Sequence, residues 1–207
     1  QIIPQHSGSG TWYLQHSPND RFYIGELSSI QSLPLQKIAM TDNLRSLENQ
    51  ADILYITHPD FLPAVERLAE YRKKQGFTTR IVNIYDIYDE FSAGNFDPRA
   101  IQAFLQYSFY YWKSPSPNYV VFIGDANWDY MDFQRTGTKV YIPSYRSPDQ
   151  EILNMDNGSR EDFYLNLCGS DNYPDIILGR ISVHNLKDAN AVVEKTIAQE
   201  TDSVLGT

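Results

Sequence analysis

The pattern of apolar and polar positions changes character at Ala51. From there on, short runs of β-branched and aromatic residues alternate with longer stretches whose apolar residues recur every three or four positions. Asp52-Ile-Leu-Tyr-Ile-Thr57, Thr79-Arg-Ile-Val-Asn-Ile84 and Tyr119-Val-Val-Phe-Ile-Gly124 predict three strands, and Asp175-Ile-Ile-Leu-Gly179 predicts a fourth. The third organises the rest. Val120 to Ile123 form an unbroken apolar run, too short for a helix and without a polar side. Such a strand is buried on both faces, as in a parallel sheet.

The stretches between these runs have helical spacing. Leu62, Val65, Leu68 and Ala69 line one face of a helix over residues 61–75, with Arg72 at the edge of the stripe. Asp60 is the expected cap and Gly76 the expected stop. Residues 85–91 read as a connector of about one helical turn. Asp97-Pro98 is a helix start, and Ile101, Phe104, Leu105, Ser108, Phe109 and Trp112 follow on one face until Ser114-Pro-Ser-Pro117. Asn185 caps a last helix over residues 186–200, with Ala189, Val192, Val193 and Ile197 inward.

Strand–helix alternation with right-handed crossovers predicts an α/β three-layer sandwich: a four-stranded parallel sheet in the order 2-1-3-4, flanked by helices. The pattern loosens over about 126–170. That insertion reads as a small β hairpin, with strands at 139–142 and 163–167. Residues 1–50 differ again. Thr11-Trp-Tyr-Leu14 and Arg21-Phe-Tyr-Ile24 read as short strands between turn signals. This segment is expected to be an extended strap, or the end of a preceding β domain, beside an α/β unit over 51–207.

Composition narrows the function. With 42% hydrophobic and 21% charged residues the chain is a folding one. A net charge of -9 argues against a nucleic-acid partner, which needs a basic face. No apolar run approaches the roughly 20 residues of a membrane span. Cys168 is the only cysteine, which rules out an internal disulfide and a cysteine zinc site. The start at Gln1 reads as that of a piece of a longer protein.

Candidate chemistry gathers where strands end. In open α/β sheets, ligands bind beyond the carboxyl ends of the strands. Asp125 and Arg180 each follow a glycine there and are expected to form a structural edge pair on neighbouring strands. His58, after the first strand, is expected to serve in capping rather than as a base. Cys168 is expected to be a packed, inert thiol with no histidine within hydrogen-bond reach. The acidic stretches 125–132 and 171–175, with Asp156-Asn-Gly158 and Asp171-Asn172, offer oxygen ligands for calcium, but none has the spacing of a calcium loop. Solvated turns are the expectation, with no metal site. The aromatic residues between Phe104 and Trp112 fit a core better than a sugar platform. Thr57-His-Pro-Asp60 holds no glycine, so no phosphate loop follows the first strand.

Five segments, in order, resemble the gingipain family of cysteine peptidases. They are Ala51-Asp-Ile-Leu-Tyr-Ile-Thr-His-Pro-Asp-Phe61, Tyr88-Asp-Glu-Phe-Ser-Ala-Gly94, Asp97-Pro-Arg-Ala-Ile101, Tyr119-Val-Val-Phe-Ile-Gly-Asp125 and Pro174-Asp-Ile-Ile-Leu-Gly-Arg-Ile181. The resemblance implies a caspase-like catalytic domain of two α/β subdomains, with the catalytic His in a Gly-His-Gly context and the Cys in the second. This chain has no Gly-His-Gly. It resembles the first subdomain, and no catalytic or substrate-binding residue carries over to it. The implied partners are the C-terminal catalytic subdomain and a protein or peptide substrate, and the implied location is secreted or on a bacterial cell surface. Some relatives act as sortases in type IX secretion. A non-catalytic extracellular binding module and a flavodoxin-like small-ligand domain are the rival readings.

Overall fold

The structure is a computed structural model that describes residues 5–6, 12–13, 42–127, 129–145, 161–169, 171 and 173–201. Two compact units divide between Ala39 and Met40. In the first, β1 (Gln5–His6) pairs antiparallel with β2 (Trp12–Tyr13). Thus β2 falls inside the strand predicted at 11–14, but its partner precedes it. The strand predicted at 21–24 lies outside the described residues.

The second unit holds the sheet. Strands β3 (Ile53–Thr57), β4 (Thr79–Asn83), β5 (Tyr119–Ile123) and β6 (Ile177–Ile181) are all parallel, in the order β4-β3-β5-β6. This is the expected second-first-third-fourth arrangement. β6 begins two residues late, because Asp175 belongs to the preceding loop. Its carboxylate accepts from the Leu167 and Cys168 amides at 2.7 and 2.8 Å, and its own N–H donates to Leu165 O. Strand pairing starts only where Ile177 N–H reaches Asn118 O at 2.9 Å.

Local chemistry sets the helices. His58, not Asp60, opens the first. Its Nδ1 accepts from Asp60 N–H at 3.1 Å and starts a 3-10 turn over Pro59–Phe61, from which α1 (Leu62–Lys74) continues. Gly76 ends the helical turn at φ +97, a conformation other residues adopt at a cost. The connector expected after β4 is a full helix, α2 (Ile84–Ser92), because Asn83 caps it by accepting from Tyr85 N–H. Asp97 caps α3 (Pro98–Tyr111), accepting from Arg99 N–H at 2.9 Å. Asn185 caps α4 (Leu186–Thr201) by accepting from Asp188 N–H.

α2 packs on α3, and α1 on α4. The first pair covers a core of Leu54, Ile56, Val82, Ile101, Phe104, Val120 and Phe122, and the second one of Tyr55, Phe61, Val65, Ile123 and Val193. Phe104, Leu105, Ser108 and Trp112 are buried as expected, but Phe109 is only half-buried and Tyr110 and Tyr111 are exposed, so only one face of the aromatic stretch is core. Residues 42–50 belong to this unit rather than to a strap. Leu44 is fully buried, the Trp112 indole donates to its carbonyl at 2.9 Å, and Arg80 holds Asp42 through two bonds of 2.7 and 2.8 Å.

The hairpin expected within 126–170 is not built from the strands assigned to it. Residues 139–142 are irregular, and 163–167 begin in a 3-10 turn over Asp162–Tyr164. Short apolar runs here serve as plugs for the α/β core. Ile142, Tyr164 and Leu167 are buried against it, and the Tyr164 hydroxyl donates to Pro143 O at 2.8 Å.

Candidate functional site at the carboxyl edge of the sheet

His58, Asp60 and Tyr85, just beyond the carboxyl ends of β3 and β4, form a connected cluster with Lys139 and Tyr141 of the insertion. His58 is 5% exposed. With Nδ1 accepting from Asp60 N–H, its proton sits on Nε2, which lies 2.9 Å from the Tyr85 hydroxyl. Burial, and then the Lys139 charge, hold its pKa below the ordinary value, against the pull of Asp60. His58 is therefore a neutral, pinned ring. Lys139 Nζ donates to Asp60 Oδ2 at 2.6 Å and stands 4.6 Å from the centre of the Tyr141 ring. That hydrogen bond holds the Asp60 carboxyl below, and the Lys139 ammonium above, their usual values.

At the end of β5, Gly124 takes φ +136. A Cβ there would stand 2.6 Å from Tyr141 Cβ, so the glycine lets the returning loop lie against the strand exit. Asp125 N–H then donates to Val183 O, and Asp125 O accepts from the Tyr141 and Ile142 amides. The Asp125 carboxylate lies 3.3 Å from His184 Nε2, while the Tyr141 hydroxyl donates to His184 O at 2.7 Å.

Arg180 does not pair with Asp125. Its guanidinium holds Glu161 Oε1 through Nε at 3.0 Å and Nη2 at 2.7 Å, and Nη1 donates to Gly124 O and Ile142 O at 2.9 Å each. The reason is register. Arg180 lies opposite Phe122, inside the strand pair and on the side of the Phe122 ring, while Asp125 lies two residues beyond the end of β5, after Gly124 at φ +136, and its carboxylate faces His184. β5 and β6 are neighbours as expected, but Arg180 ties three chain segments together on the α2/α3 side. Sequence reasoning missed Glu161 because it lies in the insertion, where no periodicity marks it.

Cys168 is exposed, not packed. His58 is committed to Tyr85 and Asp60, and His184 to Asp125, so neither ring serves the thiol. The side chains of His6 and His16 lie outside the described residues. The carboxylates weighed for calcium act as turn acceptors. Asp129 takes the Phe133 and Gln134 amides, Asp132 those of Thr136 and Gly137, and Asp171 that of Tyr173. Asp156-Asn-Gly158 lies outside the described residues. Among the described residues, no three His, Cys, Asp or Glu side chains are grouped to hold a metal ion, and no helix is long and apolar enough to cross a membrane.

A four-stranded parallel sheet in this order, with acidic and histidine side chains at its carboxyl edge, is an open α/β sheet whose candidate site lies where such sheets bind ligands. The model of peptidase family C25, the gingipain family, matches residues 46–207, and the chain belongs to that family. Two solved structures from Porphyromonas gingivalis share its fold. Dimeric latent PorU is 20% identical with a TM-score of 0.56, over 77% of this chain and 17% of that one. The complex of RgpB pro- and mature domains is 20% identical with a TM-score of 0.53, over 70% of this chain and 28% of that one. A third structure, described only as a protease, is 14% identical with a TM-score of 0.52, over 74% of this chain and 29% of that one. The chain thus spans less than a third of each of these structures. No curated protein matches the sequence.

Proposed function

We propose that the chain is the amino-terminal, non-catalytic subdomain of a gingipain-like cysteine endopeptidase, whose Cys/His dyad lies in the sequence that follows. The observation that carries this reading is a mismatch inside a peptidase family. The chain matches family C25 over residues 46–207, yet its one cysteine stands apart from both histidines whose rings are described. A thiol peptidase needs nucleophile and base within hydrogen-bond reach, about 2.6–3.2 Å. In the parent, histidine takes the proton of the cysteine thiol, the thiolate attacks a peptide carbonyl, the amine leaves with that proton, and water hydrolyses the acyl-enzyme. This subdomain braces the catalytic sheet, and its carboxyl edge borders the substrate. The parent works outside the cell or on its surface, and the partner of this subdomain is the catalytic one.

The insertion supports a second reading, a binding module. Asp129 and Asp132 hold a tight loop that leaves Met131 52% and Phe133 82% exposed, as a protein contact would need. Peptide hydrolysis separates the readings. The pure 207-residue chain is expected to turn over no peptide, and the longer parent is expected to do so through a downstream cysteine. Turnover by the chain alone, abolished by Cys168→Ala, would overturn the proposal. An inactive parent that still binds protein through Phe133 would favour the binding module.

A further inference from the structure

An all-parallel sheet is normally covered on both faces. Here one face is unfinished. Along β5 and β6, on the α1/α4 side, Tyr119 is 44% and Ile177 62% exposed, and Val121 and Ile181 are only half-buried. This bare strip runs into a groove of about 420 Å³ lined by Tyr55, Leu68, Phe77, Tyr119, Val121 and Ile181.

Gly179 lies at the centre of the strip, opposite Val121 and flanked on the same face by Ile177 and Ile181. Glycine inside a strand weakens it and commonly marks a bulge or a close backbone approach. Among the described residues, nothing supplies either. The register runs unbroken from Tyr119↔Ile177 to Ile123↔Ile181, and a Cβ at Gly179 would meet no atom within 4 Å. Gly124 is the contrast, since its missing Cβ is demanded by Tyr141. A glycine that the packing of the described residues does not require points to a further neighbour.

We infer that this strip is the docking surface for an amphipathic helix from the remainder of the parent polypeptide, whose backbone approaches β6 at Gly179. The inference rests on the reading of the chain as one part of a longer peptidase. A helix fits because α1 and α4 already form that layer, and the open place beside them is the next position in it. An apolar partner fits because the one charged side chain lining the groove, Arg72, is already matched by Glu200 at 2.7 Å. Length fits because the structures that share the fold extend well beyond the matched part, which is 17% and 28% of the two P. gingivalis chains. Large aliphatic side chains of the helix seat between Tyr119 and Ile177 and reach the groove.

The test sets Gly179→Val and Ile177→Ser in both the 207-residue chain and the longer parent, with thermal melting and limited proteolysis. In the short chain, Gly179→Val is expected to leave Tm unchanged or raise it, since valine has room and suits a strand. In the parent, the same change is expected to lower Tm and open a protease-sensitive site between the two parts. Ile177→Ser is expected to show the same split. Equal effects in both chains would overturn the inference. So would a loss of stability confined to the short chain, which would put residues 1–39 or a second copy on the strip; gel filtration separates those two. The readout is stability, not turnover. An active parent indifferent to both changes defeats this inference and leaves the peptidase reading standing.

Discussion

The two faces of the sheet are built to different degrees of completion. On the α2/α3 side, Val82 and Val120 are 1% exposed and Phe122 not at all, with the Phe122 ring held between Tyr164 and the Arg180 guanidinium. On the α1/α4 side, Tyr55 and Ile123 are buried too, but β5 and β6 carry a half-buried Val121 and an Ile177 exposed by nearly two thirds. Apolar residues line both faces. The difference lies in what covers them, and it separates the part of this chain that is a finished core from the part that awaits a neighbour.

Replacing the central ring of the closed face should have the largest effect. Phe122→Ala is expected to cost about 3–5 kcal/mol, the usual range for deleting a fully buried aromatic ring. Urea denaturation measures it, and a loss under about 1 kcal/mol would mean that the closed face is not a rigid core.

Arg180→Met comes next. It leaves Glu161 without its partner and two carbonyls, of Gly124 and Ile142, without a donor. A fully buried pair broken this way costs about 3–5 kcal/mol. Glu161 keeps 35% of its side-chain surface, so solvent screens part of the loss. About 2 kcal/mol is expected. Asp125→Asn should add to it without coupling, because the two side chains hold different partners, Glu161 and His184. A coupling energy above about 1 kcal/mol in the double-mutant cycle would restore the Asp125–Arg180 pair.

The carboxyl edge gives a smaller effect, seen as a pH dependence. The folded chain holds the His58 pKa below its unfolded value of about 6.5. As pH falls below that value, the unfolded chain takes up the proton first. Stability contributed by neutral His58 is therefore full above about pH 6.5 and is lost on acidification through the folded pKa. Asp60 adds a second loss at lower pH, beginning below its unfolded value near 3.9. His58→Asn keeps an acceptor at the cap and removes the titration. The fall in Tm between neutrality and about pH 5 should shrink in that variant, and an unchanged fall would move the titrating group elsewhere.

Strands and main helices were legible because their signals are local: runs of β-branched residues, helical spacing, and the caps Asp97 and Asn185. The sheet order followed from handedness. Two signals were present but underweighted. Ile84, Ile87 and Tyr88 have helical spacing after Asn83, a good cap, and together they announce α2. His58 before Pro59 could be read as the opening of a turn, yet Asp60 was the more usual capping residue. The Arg180 contacts were not legible. They depend on a register offset between β5 and β6, and a shift of one residue sends a side chain to the other face. The irregular insertion had no period by which to place Glu161. Nor could the sequence separate Gly124, required by Tyr141, from Gly179, required by nothing among the described residues.

The contrast between the faces is tested most directly by two neighbouring residues of one type in one strand. Val120 points to the closed face and Val121 to the open one. Strand propensity is shared, so Val120→Ala and Val121→Ala differ only in their surroundings. Two buried methyl groups at about 0.8 kcal/mol each, plus a cavity, give about 2–3 kcal/mol for Val120→Ala. Val121→Ala, half-buried beside open space, should cost about 1 kcal/mol or less. Urea melts of the two variants should therefore differ by at least about 1 kcal/mol, Val120→Ala being the weaker protein. Equal losses would mean that the α1/α4 face is as closed as its opposite, and would contradict the account.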